Sequence, residues 1–166
     1  MEIERKYLIQ KDSIPVDLAT CDHCVIEQAY LCTSPVVRVR KQSDTYYITY
    51  KSDGLMTREE YNLPLTAESY AHLLKKADGN IITKTRYLIP LRDSNIGKPL
   101  TIELDIFEGK FEGLYLAEVE FESEDDANRF VAPSWFGEDV TFDHRYSNAV
   151  MTRYSSLKEL MESEEE

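Results

Sequence analysis

Charged residues recur at a spacing of two in six segments of this chain, and a seventh segment places Lys51 on the strand face of Tyr47 and Thr49. Side chains alternate faces along a β-strand, so residues two apart point the same way. Glu2, Glu4 and Lys6 then share one face, with Ile3 and Tyr7 opposite. Arg38 and Arg40 share a face opposite Val37 and Val39, and Arg58 shares one with Glu60, as Lys84 does with Arg86. Glu103 and Asp105 lie opposite Ile102, Leu104 and Ile106, while Glu118 and Glu120 lie opposite Val119 and Phe121.

One such strand reads simply as a sheet with its polar side in water. Seven do not, because an ordinary solvent face mixes Ser, Thr, Gln and Lys, whereas these faces are almost purely charged and their sign changes by strand. Like charges this close are costly unless opposite charge, a metal or a ligand compensates them. A barrel with the charged faces turned inward supplies that compensation. Its apolar outer face would be covered by helices or by a second copy of the chain.

The rest of the pattern agrees. Segments 2–10, 24–33, 36–42, 45–51, 57–63, 82–90, 100–107 and 113–122 are rich in Val, Ile, Tyr and Thr, with turn residues between several of them. They predict eight antiparallel strands closed into a barrel, a mainly β (α+β) fold. Three helices are expected outside it. The first is capped by Thr66 with Gly79 beyond its end, and the second runs from Ser123 to about Ala132. A C-terminal helix is expected over about 146–162, followed by a solvated acidic tail, Glu162–Glu166. No repeat or linker divides the sequence, which reads as a single domain over 1–166.

Composition narrows the function. The formal charge is −12, which argues against nucleic acid as a partner. No apolar run approaches the ~20 residues that span a bilayer, and Met1 is followed at once by Glu2-Ile3-Glu4-Arg5-Lys6, so neither a membrane anchor nor a secretory leader is expected. The cytoplasm is the expected location. Cys21, Cys24 and Cys32 are an odd set, and Cys21-Asp22-His23-Cys24 has no second ligand pair, so they read as reduced thiols.

An acidic protein can still bind a polyanion if its cations are gathered in a sheltered place. The inward candidates are seven cations, Lys6, Arg38, Arg40, Lys51, Arg58, Lys84 and Arg86, and seven acids, Glu2, Glu4, Glu60, Glu103, Asp105, Glu118 and Glu120. Guanidinium and ammonium groups match phosphate oxygens, and carboxylates match a hard divalent cation. Phosphoryl transfer needs chiefly positioning and charge neutralisation, so this set suffices without a Ser or Cys nucleophile. Neither GxxxxGK[ST] nor GxGxxG occurs, and His23, His72 and His144 are scattered.

Glu2-Ile3-Glu4-Arg5-Lys6 resembles the ExExK opening of CYTH domains, the triphosphate tunnel metalloenzymes. The likeness continues in order through Gln28-Ala29-Tyr30-Leu31, Arg38-Val39-Arg40, Thr49-Tyr50-Lys51-Ser52 and Arg58-Glu59-Glu60. It extends through Lys84-Thr85-Arg86-Tyr87, Glu103 to Phe107, Leu114 to Phe121, and Arg145-Tyr146-Ser147-Asn148. The resemblance implies an eight-stranded tunnel that binds a triphosphate with Mg²⁺ or Mn²⁺. It implies Glu2, Glu4, Glu118 and Glu120 as metal ligands. Glu4 and Glu120 would hold the metal on the triphosphate, while Glu2 and Glu118 would help place a second metal and the attacking water. The implied phosphate ligands are Lys6, Arg38, Arg40, Lys51, Arg58, Lys84 and Arg86, with Arg145 near the mouth.

Glu2, Glu118, Lys6 and Tyr30 are the implied catalytic group, supported by Glu60, Glu103 and Asp105. The compact tripolyphosphatase branch is the nearest likeness, which implies hydrolysis of inorganic tripolyphosphate to pyrophosphate and phosphate and suggests a homodimer. A class IV adenylyl cyclase, a thiamine triphosphatase and a noncatalytic polyphosphate-binding module stay open as alternatives. Two positions depart from the family pattern: Ala29 replaces a common Gly, and Asn62 replaces a common acid. Trp135 reads as a buried loop anchor or, alternatively, as a stacking surface for an organic group.

Overall fold

Period-two alternation sorts the strands into an inner and an outer wall. The computed structural model describes residues 1–164. Its strands are β1 (Glu2–Ile9), β2 (Asp22–Thr33), β3 (Val36–Gln42), β4 (Thr45–Lys51) and β5 (Thr57–Arg58), then β6 (Glu60–Pro64), β7 (Asp78–Leu91), β8 (Leu100–Phe107), β9 (Tyr115–Glu120) and β10 (Phe136–Asp139). They pair antiparallel in the order β10-β1-β9-β8-β7-β2-β3-β4-β6, and β5 pairs with β1. Only Glu59 separates β5 from β6, so the sheet returns on itself and makes a nearly closed barrel of eight staves. Closure rests on a short ladder, Glu2 opposite Arg58 and Ile3 opposite Thr57.

The expected segment 57–63 is therefore two strands, bent so that one end joins β4 and the other joins β1. An additional strand, β10, was not expected. It lies beside β1 with Tyr7 opposite Asp139. Gly137 permits this approach, because a Cβ there would meet the Leu8 carbonyl oxygen at 2.6 Å.

Apolar clusters cover the outer wall. Ile3, Tyr7, Ile102, Leu104 and Val119 pack with Phe121, Ala127 and Phe130. This lays α2 (Glu124–Arg129) on the barrel, capped by Ser123 and opened by three acids that suit the helix N-terminus. It stops at Arg129, short of the expected Ala132. A second cluster sets Ala29 and Val39 against Tyr70 of α1 (Ala67–Leu74). Thr66 and Ser69 close a reciprocal capping box that starts α1. Ala29, where the family pattern has Gly, is fully buried under this helix. Burial of each large apolar side chain contributes about 1.5–3 kcal/mol.

The inner wall changes character along its length. Beyond the charged stretch, Leu8, Ile82, Phe107 and Leu116 face inward and pack with Val140, Tyr146, Met151 and Leu160. This cluster plugs one end of the barrel. The single helix expected over 146–162 is broken into a 3-10 turn at His144–Tyr146, α3 (Asn148–Met151) and α4 (Leu157–Glu162). The break has a local cause. Ser156 caps the Glu159 amide and the Glu159 carboxylate accepts from the Ser155 amide, so side chains take backbone groups that a continuous helix would need. Gly79 does not end a helix. It lies in β7 with φ 69°, and a Cβ would stand 2.6 Å from the Thr152 carbonyl oxygen beyond α3. Of the expected acidic tail, Glu165 and Glu166 lie outside the described residues. Among those described, no helix is long and apolar enough to cross a membrane.

Candidate functional site

A cavity of about 410 Å³ opens inside the barrel, and all seven cations of the alternating faces line it. Lys6 comes from β1, Arg38 and Arg40 from β3, Lys51 from β4, Arg58 from β5, and Lys84 and Arg86 from β7. Six of the seven acids line it too: Glu2, Glu4, Glu60, Glu103, Glu118 and Glu120. Asp105, fully buried, stands behind the wall and binds Lys84 at 2.6 Å and Arg86 at 2.7 Å.

The pairing is uneven, and that unevenness defines the site. Lys51 meets Glu2 at 2.9 Å, Lys6 meets Glu118 at 3.5 Å, and Arg86 meets Glu103, Asp105 and Glu118. Arg58 is only loosely paired with Glu4, at 3.9 Å. Among the described residues Arg38 and Arg40 have no carboxylate partner. Arg38 donates to Thr49 Oγ1 at 3.2 Å while its buried Nε has no partner. Arg40 donates to Gln28 Oε1 at 2.8 Å and to Tyr47 Oη at 3.2 Å. Both guanidinium groups are buried, at 5% and 6% exposure. Two neighbouring buried cations answered only by neutral groups form a site for an anion.

The acids divide in the same way. Burial alone would raise the Glu2 carboxyl, but the charge and hydrogen bond of Lys51 hold it at about 2. Burial also opposes ionisation of Glu118, yet Lys6 and Arg86 hold it well below the usual carboxylate range. Glu4 lacks comparable help, so burial and the adjacent Glu118 push it up to about 8. Glu120 is raised by burial and by Glu2 and Glu60. The β1 and β9 side of the cavity therefore holds an excess of acid that is short of cations.

That side fits a hard divalent cation. Its donors are carboxylate oxygens, and Glu2 Oε2 is buried with no hydrogen-bond partner. Among the described residues no three acidic, His or Cys side chains converge into a ready-made cage.

Tyr30 lines the cavity at 3% exposure and accepts a hydrogen bond from Gln28 Nε2. Arg145 is not brought to the cavity. Its guanidinium holds Asp143 and the Ser163 carbonyl, while Asp143 and His144 line the cavity instead. A two-residue periodicity could not locate it, because it lies in a 3-10 turn. Asn62 also stays outside the lining, accepting from Thr49 and donating to Glu60. Trp135 packs edge-on against Phe136 on the outer cluster, away from the cavity. The three cysteines are free thiols and line no part of it. Sequence reasoning gave no role to Gln28 and Asn148, although both stand in the motif strings. Gln28 stands opposite the inward-facing Arg40 on the neighbouring strand, and Asn148 opens α3, where strand alternation gives no signal.

A family model for the CYTH domain matches residues 1–148. The chain is 36% identical over 159 residues to the inorganic triphosphatase of Nitrosomonas europaea, covering 90% of this chain and 95% of that protein. It is 33% identical over 165 residues to the inorganic triphosphatase of Acetivibrio thermocellus, covering 95% and 98% respectively. A crystal structure of an inorganic triphosphatase superposes with a TM-score of 0.68 at 34% identity, covering 94% of this chain and 97% of that one.

Proposed function

This chain belongs to the CYTH domain family, and on that premise we propose that it is an inorganic triphosphatase, hydrolysing tripolyphosphate to pyrophosphate and phosphate with a divalent metal, Mg²⁺ or Mn²⁺. The observation that carries the reading is the split in the cavity: Arg38 and Arg40 buried without carboxylates on one wall, and Glu4 and Glu120 short of cations on the other. A metal–triphosphate complex satisfies both walls at once.

The residues take their parts from their surroundings. Arg38 and Arg40 grip phosphate oxygens, joined by Lys51 and Arg58 once Glu2 and Glu4 turn to the metal, while Lys84 and Arg86 stay anchored by Asp105 and offer their remaining N–H groups. Glu4 and Glu120 would hold a divalent metal, and Glu2, through its unpartnered Oε2, would help hold a second. Bound there, it would neutralise phosphate charge and make the phosphorus more electrophilic. Glu118 is held ionised by Lys6 and Arg86, which makes it a weak base. Its part is to accept a hydrogen bond from the attacking water and aim it. Water oxygen bonds to the terminal phosphorus, one of its protons passes to a non-bridging oxygen of that phosphate, the bridging P–O bond breaks, and pyrophosphate leaves with orthophosphate as the other product. Lys6, whose ammonium is favoured by Glu118 and Glu4 against burial, faces the charge that develops.

On the same reading the enzyme is a single domain that works in the cytoplasm as a homodimer. The test is phosphate release from tripolyphosphate, ATP and thiamine triphosphate in parallel, with Mg²⁺, Mn²⁺ or EDTA. Fast, EDTA-sensitive cleavage of tripolyphosphate alone supports it. Cyclic AMP formed from ATP, or thermal stabilisation by tripolyphosphate without turnover, overturns it.

A further inference from the structure

Two side-chain amides, Gln28 behind the cavity wall and Asn148 in its lining, join three of the cavity's functional groups. Gln28 of β2 is fully buried, and Asn148 at the start of α3 is 8% exposed. Gln28 Oε1 accepts from Arg40 Nε at 2.8 Å. Gln28 Nε2 donates to Tyr30 Oη at 3.0 Å and to Asn148 Oδ1 at 2.9 Å. Asn148 Oδ1 also accepts from Lys84 Nζ at 2.9 Å.

The chemistry fixes which way each amide faces. A guanidinium and an ammonium have only donors, so Arg40 demands the Gln28 oxygen and Lys84 demands the Asn148 oxygen. Gln28 is then left with its two N–H groups, one for Asn148 and one for Tyr30. Since Tyr30 Oη accepts there, its own hydrogen is directed elsewhere, and Tyr30 lines the cavity. A neutral amide fixes Arg40, which has no carboxylate partner, without cancelling the charge an anion needs, while Lys84 is held by Asn148 together with Asp105.

We infer that Gln28 and Asn148 are positioning residues for the triphosphate site. Gln28 sets the Arg40 guanidinium and turns the Tyr30 hydroxyl into a donor towards phosphate, while Asn148 sets the Lys84 ammonium. The inference rests on the reading of the cavity as a triphosphate site.

The experiment compares wild type, Gln28→Met and Asn148→Ala by KM and kcat on tripolyphosphate with Mg²⁺, by calorimetric Kd for tripolyphosphate in EDTA, and by melting without ligand. Both variants should raise KM and Kd on the order of tenfold, the loss expected for a hydrogen bond to a charged group, with a smaller change in kcat. The Gln28→Met penalty should shrink in a Tyr30→Phe background, because part of it acts through that hydroxyl. A cost confined to the melting midpoint, with KM and Kd unchanged, overturns the positioning role. If Gln28→Met does not fold, Asn148→Ala decides alone. Its penalty should vanish in a Lys84→Met background, and an unchanged Kd in the single variant overturns the inference. Wild type that neither binds nor cleaves tripolyphosphate removes the triphosphate reading itself. Wild type that does both, beside two unaffected variants, removes only this inference.

Discussion

Lys51 Nζ bonds one oxygen of Glu2 at 2.9 Å, while the other oxygen, Glu2 Oε2, is buried without a partner. One oxygen of this carboxylate is satisfied from within the protein and the other has no hydrogen-bond partner. The same incompleteness recurs across the barrel, where Arg38 Nε is also buried and unpartnered. A buried donor or acceptor left in this state costs about 1–3 kcal/mol, and a cavity holding both an orphan acceptor and an orphan donor is complementary to a ligand with both signs of charge. A metal-bound polyphosphate is such a ligand.

Glu4→Gln should remove metal-dependent turnover while leaving the fold intact. The amide keeps the side-chain shape but cannot supply the negative charge that holds the metal on the triphosphate. Turnover should fall by about a hundredfold or more. The melting midpoint of the unliganded protein should move by less than about 4 °C, what one kcal/mol produces in a chain of this size. Undiminished activity in this variant would place the metal elsewhere.

Arg40→Ala should weaken phosphate binding by on the order of 1.5–3 kcal/mol, the worth of hydrogen bonds to a charged group. The loss should appear in KM and in the calorimetric Kd for tripolyphosphate. Arg40 has no carboxylate partner, so its removal strands no acid in the wall. Unchanged KM and kcat would place Arg40 outside the binding site.

The inward set was legible because its signal is local. A period of two fixes which residues share a face, and charge on that face has no apolar alternative to be confused with. All seven cations were found this way, and all seven line the cavity. What was not legible depended on contacts between distant segments. The bend at Glu59 exists because one strand must serve β4 and β1 in turn, and β10 exists because Gly137 lets a short segment approach Leu8. The break before α4 follows from Ser155 and Ser156 competing for backbone groups, which apolar periodicity over 146–162 conceals. Arg145 was carried over from a motif, and its capture by Asp143 could be seen only in three dimensions.

Tripolyphosphate affinity should fall as pH rises through about 8. Burial draws the Lys84 ammonium down from its ordinary range to about 8, against the pull of Asp105. For a base whose folded value is depressed, the cost of carrying its charge in the empty protein is greatest below that value. It is relieved as pH climbs towards the unfolded value. Stability of the empty protein therefore gains from this group as pH rises, while affinity for an anion loses its ammonium over the same range. Calorimetric Kd measured from about pH 7 to about pH 9.5 should show the loss in wild type. In Lys84→Met binding should be weaker throughout and should lack this component. Parallel curves for the two proteins would sink the assignment.

Removing the metal should weaken tripolyphosphate binding even though the phosphate ligands remain. Without a divalent cation, Glu2 keeps Lys51 and Glu118 keeps Lys6 and Arg86, so tripolyphosphate must compete with carboxylates for these three of the seven cations. Arg38 and Arg40 are free of such competition and should still hold it, which predicts weaker binding rather than none. A ligand at a hundred times its Kd stabilises the native state by about 2.7 kcal/mol, on the order of 5–10 °C in a chain of this length. Melting curves with tripolyphosphate and Mg²⁺ should show a shift of that size. With EDTA the shift should become smaller but remain above zero. In an Arg38→Ala, Arg40→Ala double variant the EDTA shift should disappear. A shift equal in Mg²⁺ and EDTA would mean that metal and phosphate bind independently, and the exchange of partners inside the barrel would then be wrong.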